Sequence, residues 1–298
     1  MSGLALRARR ILRNPLVVKD GLARMRSWWA PVVIAIYLAA LGLFACLVFG
    51  LQLNGSSRTW GLARVGSNAF TALALAQLAL VCLFAPGVAA GAISGERERQ
   101  TLDVLLVSGI SALSLVWGKL VASMAFLTLL VASSLPLFAT VFLFGGIDVE
   151  QFVLTQALTL STALTAGAGA LLWSTLFRRT LISTVTAYTV TFAATIGTLV
   201  VGTLLTALGY ASSSVQPGPP HPLVFANPGY AMGALLLQPD GTRAYSGRLA
   251  QLLFLNPGPA STDGVLVDPW QAALLVQTAV AVASIGGAVL LLRVRRAA

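Results

Sequence analysis

Charge is what this chain has least of. Of its 298 residues only 9% are Asp, Glu, Lys or Arg, against about 25% in an ordinary soluble domain, so it cannot furnish the surface a water-facing fold requires. Six stretches, at about 30–51, 69–93, 120–146, 152–176, 181–209 and 270–292, contain no charged residue at all. Each is longer than the ~20 apolar residues a helix needs to cross a ~30 Å hydrocarbon core. Acidic residues are scarcer than basic ones, 9 against 19, and the resulting formal +10 raises the question of a nucleic-acid or membrane-surface partner.

Reactive side chains are scarce too. The two cysteines, Cys46 and Cys82, fall in opposite halves of the bilayer when ~1.5 Å is counted per residue. A disulfide needs Cα atoms within about 7 Å, so both are expected as free, buried thiols. There is no H-E-x-x-H, no G-x-S-x-G and no pair of intramembrane aspartates, which leaves an intramembrane hydrolase or a metal enzyme nothing to work with. A phosphate-cradling G-x-x-x-x-G-K-[ST] loop is also missing. Gly118-Lys119 comes nearest, but Leu113 stands at the first glycine position and Leu120 at the hydroxyl position. No nucleotide site of that kind, and no cofactor, is therefore expected on this chain. None of the six runs carries the carboxylate, histidine or basic residue that ion-coupled carriers use. The lone His221 sits in a proline-rich segment and reads as a loop residue. Sodium sites built from carbonyls and hydroxyls survive this argument.

What is present is an all-α, polytopic pattern of six transmembrane helices in a single membrane domain, residues 1–298. The first run follows Arg7, Arg9, Arg10 and Arg13 but is too long for a signal-peptide core and has no small-residue cleavage site before Gln52, so it is expected to stay as a span. Fifteen of the nineteen basic residues fall on one side when the N-terminus is placed inside. The positive-inside rule then makes both termini cytoplasmic, and the chain is expected in the inner membrane of a bacterium. On that topology the inner side carries fifteen basic and four acidic residues and the outer side four and five. The net charge is therefore an orientation signal, and no nucleic-acid partner is expected.

Ahead of the first span, Val18, Leu22, Met25 and Trp29 recur at helical spacing after Asn14-Pro15, with proline at the first helical position. Residues 1–29 read as a cytoplasmic amphipathic segment with Trp28 and Trp29 at the headgroups. Between the fifth and sixth spans, 210–269 holds nine of the thirteen prolines, which rules out one long helix. Two short apolar pieces, 229–237 and 249–255, adjoin Asn-Pro-Gly turns at 227–229 and 256–258. They are too short to span, so re-entrant or interfacial helices on the outer side, or a disordered loop, are the alternatives. Pro86 and Pro136 are expected to kink the second and third spans.

The loop 94–119 holds Glu96, Glu98 and Asp103 interleaved with Arg97 and Arg99, then Leu102, Leu105 and Leu106. Arg99 and Asp103 form an i,i+4 pair that a helix could use. Ser108-Gly109 breaks the pattern, and Ser111 is a candidate N-cap for the helix that enters the third span. At these residues the chain resembles the permease subunits of ABC exporters of the ABC-2 type. It matches that family's pattern at Ile93 to Glu98, Thr101-Leu102, Leu105-Leu106 and Gly118-Lys119, and departs from it at Gln100, Asp103 and Ser108-Gly109, where glycine, glutamate and Thr-Pro are usual.

The resemblance implies a half-size, non-enzymatic permease working as a homodimer or heterodimer with an ABC ATPase subunit that binds ATP. Gly95, Glu96, Arg97, Glu98, Arg99, Thr101, Leu102, Asp103, Leu105, Leu106, Ser108 and Gly109 would form its cytoplasmic coupling element, beside an N-terminal elbow helix among the membrane lipids. Substrate, unidentified, would be exported by alternating access. A stand-alone ion-coupled transporter or channel and a membrane scaffold of a surface complex are the rival readings. Thr155, Thr159 and Thr162 share one face of the fourth span, and Thr184, Tyr188, Thr191, Thr195 and Thr198 one face of the fifth. Close helix packing is the first reading of both faces, and a substrate path along the fifth is the second. Gln77 and Gln156 are expected to bond between helices.

Overall fold

The uncharged runs become helices because lipid offers the backbone no hydrogen bonds, so each crossing segment must satisfy its own. A computed structural model describes residues 28–54, 62–102, 111–212, 221–236 and 269–297, and among these there is no strand. Six stretches are long and apolar enough to cross a membrane: Ala30–Leu51, Val65–Glu98, Ala112–Phe142, Val149–Leu176, Thr180–Leu208 and Pro269–Val294. The chain is an all-α, multi-pass membrane protein.

In element order, α1 (Trp29–Asn54) is the first span and α2 (Leu62–Ala89) the second, followed by the short α3 (Ser94–Glu98). The third span is α4 (Ala112–Ser133) continued by α5 (Leu135–Phe142), and α6 (Val149–Leu176) is the fourth. The fifth is α7 (Thr180–Phe192), a π-helix Ala193–Gly197 and α8 (Thr198–Ser212). After α9 (Pro222–Phe225) and α10 (Pro228–Leu236), α11 (Pro269–Ala297) is the sixth.

The two prolines act differently. Pro86 lies within the continuous α2. Pro136 stands in the first turn of α5, where its missing N–H costs little. The break falls at Ser134, whose hydroxyl donates to the Val131 carbonyl at 2.7 Å. Ser134 Oγ also accepts from Gln77 Nε2 at 3.1 Å, and Gln77 and Gln156 exchange amide bonds at 3.2 and 3.3 Å, as interhelical bonds were expected to do.

Helix α6 is the centre of the bundle, packed on α11, α2, α7 and α4. The buried core forms three clusters. One gathers Tyr37, Leu41, Phe70, Leu73 and Phe138 with Ala231, Met232 and Leu236 of α10. A second gathers Ile93, Leu102, Leu115, Val116, Leu120, Leu171 and Leu292, and the smallest Val81, Ala85, Leu127, Val131 and Ala163. In and beside the first cluster Phe70 and Phe138 meet edge to face at 5.5 Å and Phe142 and Phe152 at 5.3 Å, a geometry worth about 0.5–1.5 kcal/mol per pair beyond area burial.

Cys82 is buried as expected, but Cys46 is exposed, because α1 packs through Tyr37, Leu41 and Ala45 and turns Leu43, Leu47 and Leu51 outward. The apolar piece beginning at Gly229 is the helix α10, and it is buried among α11, α2 and α6. The piece at 249–255 and the segment ahead of Trp28 lie outside the described residues.

Candidate functional site

The chain leaves α2 through a turn fastened by serines. Ser174 Oγ, on α6, accepts from the backbone N–H groups of Ile93 and Ser94 at 3.0 and 2.9 Å. The hydroxyls of Ser94 and Ser183 both donate to the Ala90 carbonyl, at 3.1 and 2.8 Å. Helix α3 then closes in a Schellman turn: Gln100 N donates to the Arg97 carbonyl at 3.0 Å and Thr101 N to the Glu96 carbonyl at 2.9 Å. That motif needs a left-handed residue at its C′ position, and Gln100 provides it with φ +58°.

The charges of α3 are all used inside the chain. Glu96 pairs with Lys119 of α4 at 2.5 Å, with side chains 19% and 9% exposed. Arg97 donates to the carbonyls of Phe177 and Thr175 at 3.1 and 3.3 Å, which are end groups of α6. Glu98 accepts from the backbone N–H and the hydroxyl of Thr180, both at 2.8 Å, at the start of α7. A cation thus caps one helix C-terminus and a carboxylate the next helix N-terminus, each matching the sign of the helix dipole. The Thr180 bonds, with Arg179 nearby as a smaller contribution, hold the Glu98 carboxyl below the usual carboxylate range.

Leu102 is buried in the chain's own core rather than turned outward. Arg99, Gln100 and Thr101 are exposed, and Gly95 lies against a Thr180 methyl. Helix α3 ends before Arg99, its C-cap residue, and the expected pairing of Arg99 with Asp103 reaches outside the described residues. Asp103, Leu105, Leu106, Ser108 and Gly109 lie outside the described residues. Ser111 is the N-cap it was expected to be, its hydroxyl accepting from Ser114 N at 3.2 Å.

Sequence reasoning missed Ser174, Thr180 and Ser183. All three lie in or next to spans read as uncharged, and only the short Arg178-Arg179 turn between them hinted at a polar junction.

The threonine faces use their hydroxyl hydrogens within their own helices. Thr155, Thr159 and Thr162 donate to the carbonyls one turn back, as do Thr184, Thr195 and Thr198. Thr162 also accepts from Gln277 at 3.1 Å. Tyr188 packs its hydroxyl onto Gly87, 2.6 Å from where a Cβ would sit, and Thr191 is half-buried on the same face. These bonds support packing. Among the described residues no three metal-ligating side chains come together.

A family model described as ABC-2 family transporter protein matches residues 15–294. No curated protein matches the chain.

Proposed function

This chain belongs to the ABC-2 family of transporter proteins as a permease subunit, and from that premise we propose that it is one half of an ATP-driven exporter. It pairs with a second permease, identical or homologous, and is powered by separate ABC ATPase subunits that bind and hydrolyse the ATP. The 94–102 end faces the cytoplasm together with both chain termini, in a bacterial inner membrane, and the ATPase docks on residues 95–109 beside the elbow helix.

The observation that carries this reading is the clamp on α3. A segment bonded to α4 through Lys119, to α6 through Phe177 and Ser174 and to α7 through Thr180 passes a push to three spans at once. A solvated loop would absorb it. Glu96 and Glu98 serve this internal clamp, so the outward contact falls to the exposed Arg99, Gln100 and Thr101 and to the leucines beyond.

Co-expression with an ABC ATPase encoded beside this chain tests the proposal. The pair should co-purify and the permease should change the hydrolysis rate. Arg99→Glu should weaken association about fivefold, the scale of one interface contact. If no such ATPase binds or responds, the proposal fails.

A further inference from the structure

The segment after the fifth span folds back on it at the end opposite α3. His221 N donates to Thr206 Oγ1 at 3.0 Å. Val224 lies against Gly202, where an added Cβ would stand 2.7 Å from a valine methyl. Asn227 donates its amide to the Thr195 carbonyl and, at 2.8 Å, to Thr198 Oγ1. Positions 195, 198, 202 and 206 follow helical spacing, so one face of the span receives all three contacts.

The Asn227 contact falls on the irregular turn of that span, the π-helix Ala193–Gly197. A π-turn holds an extra residue and loosens the backbone ladder, and in lipid a loosened carbonyl must find a donor within the protein. Asn227, 2% exposed, supplies one. Its Oδ1 meanwhile accepts from Gly229 N and Tyr230 N at 2.8 and 3.1 Å, capping α10, which is buried in the bundle. One side chain therefore ties the π-turn to an anchored helix. Little else holds α8. Beyond its own span its main packing partner among the described residues is α9, and Val200, Val201, Leu204, Leu205 and Leu208 are exposed.

We propose that Asn227 is a latch that keeps the fifth span in its π-containing register. When the amide is released the turn tightens to α, and α8 rotates by about 100°, one residue's worth, relative to α7. The rotation carries the 202 and 206 face away from α9, so α8 and α9 form a door whose two positions are the two helical registers.

The test uses the full chain in lipid nanodiscs, with Cys46→Ser and Cys82→Ser as background and the pair Thr206→Cys, His221→Cys as reporter, scored on monodisperse protein. Asn227→Ser keeps an N-cap oxygen for α10 but is too short to reach Thr195. It should lower the rate of disulfide formation about fivefold, the effect of one hydrogen bond on a population. Deleting Ala194 removes the extra residue and leaves both helical faces in register, so in the Asn227→Ser background it should restore the parent rate. An unchanged rate in Asn227→Ser, or no restoration by the deletion, overturns the proposal. No ATPase takes part, so the result is independent of the coupling assignment.

Discussion

Gln100 shows how one residue can sit against its backbone. The Schellman turn that ends α3 demands a left-handed conformation, and Gln100 adopts it at φ +58°, alone among the described non-glycine residues. An L side chain there costs about 1–2 kcal/mol, and glycine loses part of that advantage through its freer unfolded state. Gln100→Gly should therefore stabilise the protein by about 0.5–1 kcal/mol, read as a raised midpoint of thermal unfolding in detergent. Glycine is also the residue usual at this position in the family the sequence resembles. Lys119 shows the opposite case, a buried charge made tolerable by the Glu96 carboxylate at 2.5 Å.

At the scale of elements, the junction of α6 and α7 is held by side chains of α3. Glu98 caps α7 through two bonds to Thr180, and those bonds lower its pKa. A group whose folded pKa is depressed contributes stability that is present above its unfolded value, about 4.3 for Glu, and lost as pH falls through the lowered folded value. Hydrogen exchange at Thr180 should accordingly be slow, once corrected for intrinsic rates, at neutral pH. Its protection should fall as the pH drops below the ordinary carboxylate range, and Glu98→Ala should lose it at neutral pH too. Helix α3 itself was legible in the sequence as a mixed-charge run after an uncharged one. Its bonding partners were not, because Phe177 and Thr180 lie 80 and 82 residues away and nothing local marks them as acceptor and donor.

For the whole molecule, the clamp separates two tasks that the sequence reading had merged. Glu96, Arg97 and Glu98 hold α3 to the bundle, whereas under the proposed function contact with the ATPase falls to Arg99, Gln100 and Thr101. Arg97→Ala should therefore leave assembly with the ATPase intact and reduce the permease-dependent change in hydrolysis about threefold to tenfold, the range of single-site effects on coupling. Pull-down and hydrolysis assays on the same preparation distinguish the two. The central α6, packed on α11, α2, α7 and α4, and the separate core clusters around α3 and α10 let the two ends of the bundle differ.

Although the third span begins at Ala112, eight residues before its uncharged run, the sequence by itself determined the number of spans, the sidedness expected from basic residues and the start of the polar loop at 94. Each of these depends on how contiguous residues partition between lipid and water, a local property of composition. Only the tertiary structure decided what the charges of α3 bind, which way Cys46 faces, that the threonine hydroxyls turn back into their own helices, and that Asn227 meets a π-turn. Those outcomes depend on pairing. In a medium without water a polar group takes whatever partner the fold brings within reach, and here the fold brings Asn227 to Thr198 across 29 residues of chain.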